Sequence, residues 1–316
     1  MSGTLLSITD SYALSKVPGD ASFETSVNGV PTYYFGKPIA RNPVLDMNFE
    51  VSVAQAKKLG NWYPTNAAGS YPLDKIMASY IPVNGIMFFA TLGKATHTVA
   101  NTTQTITNMT TTEGRKPRYK LLEKIGTGIK HEAFGGLWHD LTLRYEGREL
   151  FATQMGKAQK HTNSSSVPSA TTFPSDVSTP FLNHSYFKWN SSAIDTLMCE
   201  FKIAQVVNAH EGSSGYYDEI SESDAMIATW SLGFSGEQST LFTDYMARTA
   251  RQIDWKMTKR SITEYFTITC ANSICTNIKY IKEKNEIAGG VATFLSENCS
   301  VVVKDDVADT FYTVPS

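Results

Sequence analysis

Residues 139–155 limit what this chain can fold into more than any other stretch. Leu141, Leu143 and Tyr145 alternate with Thr142 and Arg144, and successive side chains of an extended strand point to opposite faces. Glu146-Gly147-Arg148 follows as a short turn, where glycine takes a positive φ without steric cost. Leu150-Phe-Ala152-Thr-Gln154-Met155 then resumes as the return strand. The same period of two appears at Leu45, Met47, Phe49, Val51 and Val53, at Leu197, Cys199, Phe201 and Ile203, and at Met226, Ala228, Trp230, Leu232 and Phe234. Residues 265–270 and 299–303 complete the expected strand set. The sequence therefore predicts a mainly β, antiparallel chain.

Other segments are less periodic. Residues 1–40 are polar, with turn signals at Pro18-Gly19 and Asn28-Gly29. They are expected to be an irregular N-terminal arm whose Tyr33-Tyr34-Phe35 knot, closed by Gly36, packs on a neighbour. Residues 54–59, before Gly60, suit a short helical turn. Residues 76–92 are expected to hold two short elements split by Pro82 and Asn84-Gly85, and periodicity does not decide between helix and strand for the second. The threonine-rich residues 102–112 suit an edge or solvent-facing strand. Leu241, Tyr245, Met246 and Ala250 lie at roughly helical spacing and predict a helix over 238–252. Residues 161–180 have Ser/Thr/Pro composition and read as a long loop or linker. It divides the chain into a β half at 41–160 and another at 181–316. Met47-Asn-Phe49-Glu-Val51 resembles the segment from Met198 to Ile203, which makes the halves candidate tandem copies, although β alternation alone imitates repeats.

Motifs for chemistry are weak. The chain has 28 basic and 30 acidic residues, a formal net charge of −2, so no global basic field exists to hold nucleic acid and a near-neutral surface favours self-association. Its charged fraction of 18% is below the roughly 25% usual for soluble domains. Arg115-Lys116-Pro-Arg118-Tyr-Lys120 is a basic cluster, read as a solvated loop and strand start rather than a phosphate contact. Gly126-Thr-Gly128 continues to His131 without the rest of a kinase set and reads as a turn. Gly233-Phe-Ser235-Gly236 has Glu237 where a nucleophile elbow needs glycine. His97, His131, His139, His161, His184 and His210 match no metal spacing. Cys199, Cys270, Cys275 and Cys299 are expected to be reduced, buried and apolar in behaviour; a zinc site at Cys270 and Cys275 lacks a second pair. Tyr217-Asp218-Glu219 with Glu222 and Asp224 makes an acidic, aromatic loop, the one place for a glycosidase-like carboxylate pair or a carbohydrate site. Asn101, Asn108, Asn190 and Asn298 begin Asn-x-Ser/Thr sequons, which a Ser/Thr-rich chain collects by chance. No signal peptide or membrane span is expected. Nor is any catalytic residue, cofactor or metal expected.

The order of segments resembles the tail tube, or major tail, proteins of long-tailed double-stranded DNA viruses. Gly135-Gly136-Leu137-Trp138-His139-Asp140-Leu141-Thr142-Leu143 is similar to that family's glycine-led entry into a strand, followed by a turn and a return strand closing at Gly156. Phe88-Phe-Ala-Thr-Leu92-Gly93-Lys94 is similar to its apolar segment ending in Leu-Gly, residues 181–204 to its next hairpin, and residues 226–234 to its later inner strands. The match spans residues 40–305 loosely. It implies an antiparallel β-sandwich or barrel with a flanking α-helix and long loops. Such a subunit closes into six-fold or duplicated three-chain rings that stack into a tube, the conduit for viral DNA into the host. The implied partners are further copies of the chain, the terminator, tape measure and baseplate proteins, and DNA passing without sequence-specific contact. The implied place is the virion tail, assembled in the host cytoplasm, with no membrane and no enzymatic role. The arm and the Ser/Thr/Pro loop are the expected ring-to-ring contacts. Other virion parts, a capsid decoration or tail terminator, remain alternatives alongside the carbohydrate reading.

Overall fold

A strand that buries one face needs a second layer over it, and long strands that bend can belong to both layers. A computed structural model describes residues 10–17, 34–39, 45–47, 71–99, 103–110, 112–125, 129–163, 179–211, 217–283 and 286–313. The first strands are β1 (Asp10–Val17), β2 (Gly36–Pro38), β3 (Leu45–Met47), β4 (Tyr71–Pro82), β5 (Gly93–Val99), β6 (Thr103–Asn108), β7 (Arg118–Ile125), β8 (Ile129–Glu146) and β9 (Glu149–Asn163). Then come β10 (Asn183–Trp189), β11 (Ser192–Ile194), β12 (Thr196–Glu211), β13 (Tyr217–Ser235), β14 (Arg251–Thr258), β15 (Tyr265–Glu283) and β16 (Glu286–Lys304). Helix α1 (Ile86–Leu92) follows β4, and α2 (Ser239–Ala247) follows β13. The chain is mainly β, its strand pairs are antiparallel, and the helices flank the sheet.

Eight strands make the central layer, in the order β3-β4-β9-β8-β12-β13-β16-β15. One register row crosses seven of them: Tyr80, Ala152, Leu143, Phe201, Trp230, Phe294 and Cys275. Every member of that row is buried. Strands β10 and β14 pack over it, with Phe187 edge-on to Trp230 at 5.8 Å and Trp255 edge-on to Trp230 at 6.0 Å. The long strands β8, β15 and β16 change partners along their length. β8 pairs with β7 near its start and with β12 near its end, and β16 pairs with β13 and then with β6. Segments on either side of residues 161–180 are thus joined directly, β8 to β12 and β6 to β16.

Several expectations from sequence change. The hairpin at 139–155 is the end of a longer one, and its two turn residues Gly147 and Arg148 both have positive φ, at 60° and 73°, as a type I′ turn requires. Residues 10–17 and 36–38 are strands rather than irregular arm, β1 pairing with β7 along its length. Phe35 packs into the chain's own core, 5.5 Å from Tyr80 and 5.4 Å from Trp138. The second element of 76–92 is the helix α1, closed by Gly93 at φ 94°. β6 is no edge: it lies between β5 and β16 and buries Ile106. α2 stops at Arg248 in the left-handed region, because Ile253, Trp255 and Met257 then take up a strand period in β14. Residues 48–59, 126–128 and 164–178, with the features expected there, lie outside the described residues.

Candidate assembly surface

Glu219 and Asp224 fall on the strand β13 rather than in a loop, with Glu219 in register with His210 and Glu222 with Val207. Cys270 and Cys299 face each other across β15 and β16 and form a disulfide, so they are not reduced thiols, and Cys270 is committed away from Cys275. Pairing across 29 residues depends on strand register, which spacing along the chain does not display. Cys199 and Cys275 are free and buried. Burial pushes the Cys275 thiol up to about 11 and raises the Cys199 thiol well above its ordinary value, which keeps both as unreactive thiols near neutral pH. Among the described residues no group of three or more His, Cys, Asp or Glu side chains is placed to share a metal ion.

The basic cluster is a strand start, β7 beginning at Arg118, and Arg115 is exposed, but Lys116 and Arg118 are buried rather than solvated. Lys116 is 1% exposed, and its ammonium donates to the Thr91 carbonyl at 2.7 Å and to the Gln205 side-chain oxygen. Gln205 in turn donates to Asn108 at 2.9 Å. Arg118 donates to the Ile220 carbonyl. A long stem buries readily when its charged head finds oxygen partners, and here those partners are Thr91 of α1 and Gln205 and Ile220 of the β12–β13 hairpin. Lys120 pairs with Glu132 at 3.0 Å. Lys116 and Arg118 tie the two parts of the chain together.

Histidines are dispersed: His139 contacts Asp140 at 2.9 Å, His97 lies 3.3 Å from Asp309, and His184 stacks on Tyr145 at 5.1 Å. Burial holds the His184 imidazole below its ordinary value against the pull of Asp195.

What remains is the outer face of the central layer. The row adjacent to the buried one runs Ser79, Thr153, Thr142, Lys202, Thr229, Leu295 and Ile274. The next row on the same face holds Phe151, Arg144, Glu200, Ser231 and Thr293. Thr276 joins Thr293 through a 3.0 Å hydroxyl contact, and Ser79 faces Thr153 at 3.4 Å. A shallow depression of about 360 Å³ follows this surface, lined by Glu200, Thr229, Ser231, Thr276, Thr293 and Leu295. Charges on the face are mixed: Lys202, Arg144 and Lys279 stand with Glu146, Glu149 and Glu200. The face is hydroxyl-rich and carries no one-signed field.

That face ends at an open margin. β14 pairs with β15 only as far as Ser273, so among the described residues nothing pairs with the outer side of residues 274–283. The unpaired margin carries exposed apolar side chains, Ile274 at 42% and Ile281 at 52%, among the exposed polar Thr276, Asn277, Lys279 and Lys282. Unpaired strand groups beside apolar side chains are a template for another strand. Sequence alternation predicted the strand but not its missing partner, because an edge is a property of the sheet.

Fold and surface together define an antiparallel β protein with a hydroxyl-rich sheet face and an open edge. Compared with known proteins, the chain matches no protein-family model and no curated protein sequence.

Proposed function

We propose that this chain is a tail tube subunit of a long-tailed virus, which closes into rings that stack around a DNA-conducting bore. The observation that carries the reading is the central layer. It has one face with a buried central row, one hydroxyl-rich face of mixed charge, and, among the described residues, a margin left without a strand. A bore for DNA must not hold phosphate, because basic contacts gain affinity through counterion release and would retain the genome. The outer face meets that condition, its three cations being set among carboxylates. Open edges joined head to tail give heterologous contacts, and these close into rings when the rotation per copy permits. The resemblance of segment order over residues 40–305 supports the same reading. The role is structural, and the partners are other copies and the remaining tail proteins. Negative-stain microscopy of the concentrated protein tests it. The expected particles are rings or hollow tubes with an axial channel; a chain that stays monomeric at every concentration contradicts it.

A further inference from the structure

The central layer contains one four-strand unit twice. In the first unit β4 pairs with β9, β9 with β8, and β3 lies against β4. In the second, β13 pairs with β16, β16 with β15, and β12 lies against β13. Each unit continues in the same way after its strand β4 or β13. Residues 83–85 lead into α1 and residues 236–238 into α2. α1 then packs on β8, and α2 on β15. Each hairpin closes over two residues, Glu146 opposite Glu149 and Glu283 opposite Glu286. Phe151-Ala152-Thr153 and Val291-Ala292-Thr293 hold matching stations: Ala152 lies between Leu143 and Tyr80, and Ala292 between Ile278 and Leu232.

The units differ in what covers them. The free side of β8 is taken by β12, with Phe201 opposite Leu143 and Lys202 opposite Thr142. The equivalent side of β15 is the open margin, residues 274–283. The helices differ in the same sense. All seven residues of α1 are buried, with Phe88 against Phe266 at 5.1 Å and Phe89 against Tyr312 at 6.0 Å, both from the second unit's part of the chain. On α2, Phe242 is 43% and Met246 67% exposed beside the half-buried Tyr245 and Tyr280. What covers the first unit is the second unit, and among the described residues nothing does the same for the second.

We propose that the β15 margin pairs antiparallel with β3 of a second copy of this chain, in the register that β12 uses on β8. β3 is the first unit's counterpart of β12. Leu45 lies opposite Ala78, two stations before Tyr80, as Phe201 lies opposite Trp230, two stations before Leu232. Leu45 of one copy therefore comes opposite Ile278 of the next, and Asp46 opposite Asn277. The contact is heterologous, so each copy offers one β3 and one β15 margin and the chain of contacts either closes or continues. The second copy also covers the bare side of α2. This deepens the tail tube reading and rests on it only for closure into a stacked ring.

Cross-linking between copies tests the pairing. Leu45→Cys and Ile278→Cys proteins, one of them isotope-labelled, are mixed, treated with a short bismaleimide, and digested for mass spectrometry. Asp46→Cys with Asn277→Cys serves as a second pair in case Ile278→Cys fails to fold, and Arg260→Cys replaces the Ile278 partner as control. The buried Cys199 and Cys275 thiols stay silent under native conditions. The expected result is a 45–278 or 46–277 link between differently labelled copies, lost with the control. Rings or tubes lacking either link overturn the pairing and leave the tail tube reading standing. The link in particles that form no ring or tube supports the pairing and overturns that reading. Neither assembly nor link overturns both.

Discussion

Two buried carboxylates show how single residues hold this fold, and they do so with opposite signs. Asp244 of α2 accepts from Trp189 at 2.8 Å and from Arg251 through two bonds, at 2.9 and 3.2 Å. The Arg251 hydrogen bonds outweigh burial and, with the Trp189 N–H, hold the carboxyl below its ordinary range. A depressed carboxyl contributes stability that is fully present above the unfolded value and lost as pH falls through the folded one. Asp244→Asn is therefore expected to destabilise by about 1–2 kcal/mol at neutral pH, the guanidinium being partly exposed and screened. In urea titrations the gap from the native protein should narrow as pH falls below the ordinary value of 3.8. A gap that does not change with pH would show that the ion pair contributes nothing. Asp305 behaves in reverse. Burial raises its carboxyl even though Tyr312, Gly85 and Val307 donate to it. The stability this group contributes is present at low pH and lost as pH rises through its folded value.

At the scale of elements, the β15–β16 hairpin carries both the open margin and the Cys270–Cys299 bond. A cross-link of this kind stabilises mainly by restricting the unfolded chain, typically by about 2–4 kcal/mol. The denatured, unreduced protein should take up label at two thiols and the reduced protein at four. Cys270→Ser with Cys299→Ser should lower the urea midpoint accordingly; four reactive thiols before reduction would exclude the bond. Strands whose apolar residues keep a strict period of two were legible in the sequence, as with Ala228, Trp230, Leu232 and Phe234, all of them buried. The end of α2 was not, because Tyr245, Met246 and Ala250 run into the strand period of Ile253, Trp255 and Met257 with no glycine or proline between. Nor was the burial of Lys116, whose partner Gln205 lies 89 residues further along the chain. Contacts of that separation leave no local signature.

The molecule as a whole is a sheet in which a four-strand unit occurs twice, joined where β8 meets β12 and unfinished where β15 ends. Composition carried none of this, since near-neutral charge and a low charged fraction do not encode strand order. The open edge itself stayed hidden in the sequence, because Ile274 and Ile281 look like ordinary strand residues until the neighbouring strand is found to stop at Ser273. Sedimentation velocity of the native chain beside an Ile274→Lys, Ile281→Lys variant tests the central claim most directly. Both side chains are exposed, so two lysines leave subunit stability within about 1 kcal/mol while blocking the edge. The account predicts large assemblies from the native protein and a folded, monomeric variant with an unchanged circular dichroism spectrum. A native protein that sediments as a monomer, or a variant that assembles equally well, would contradict it.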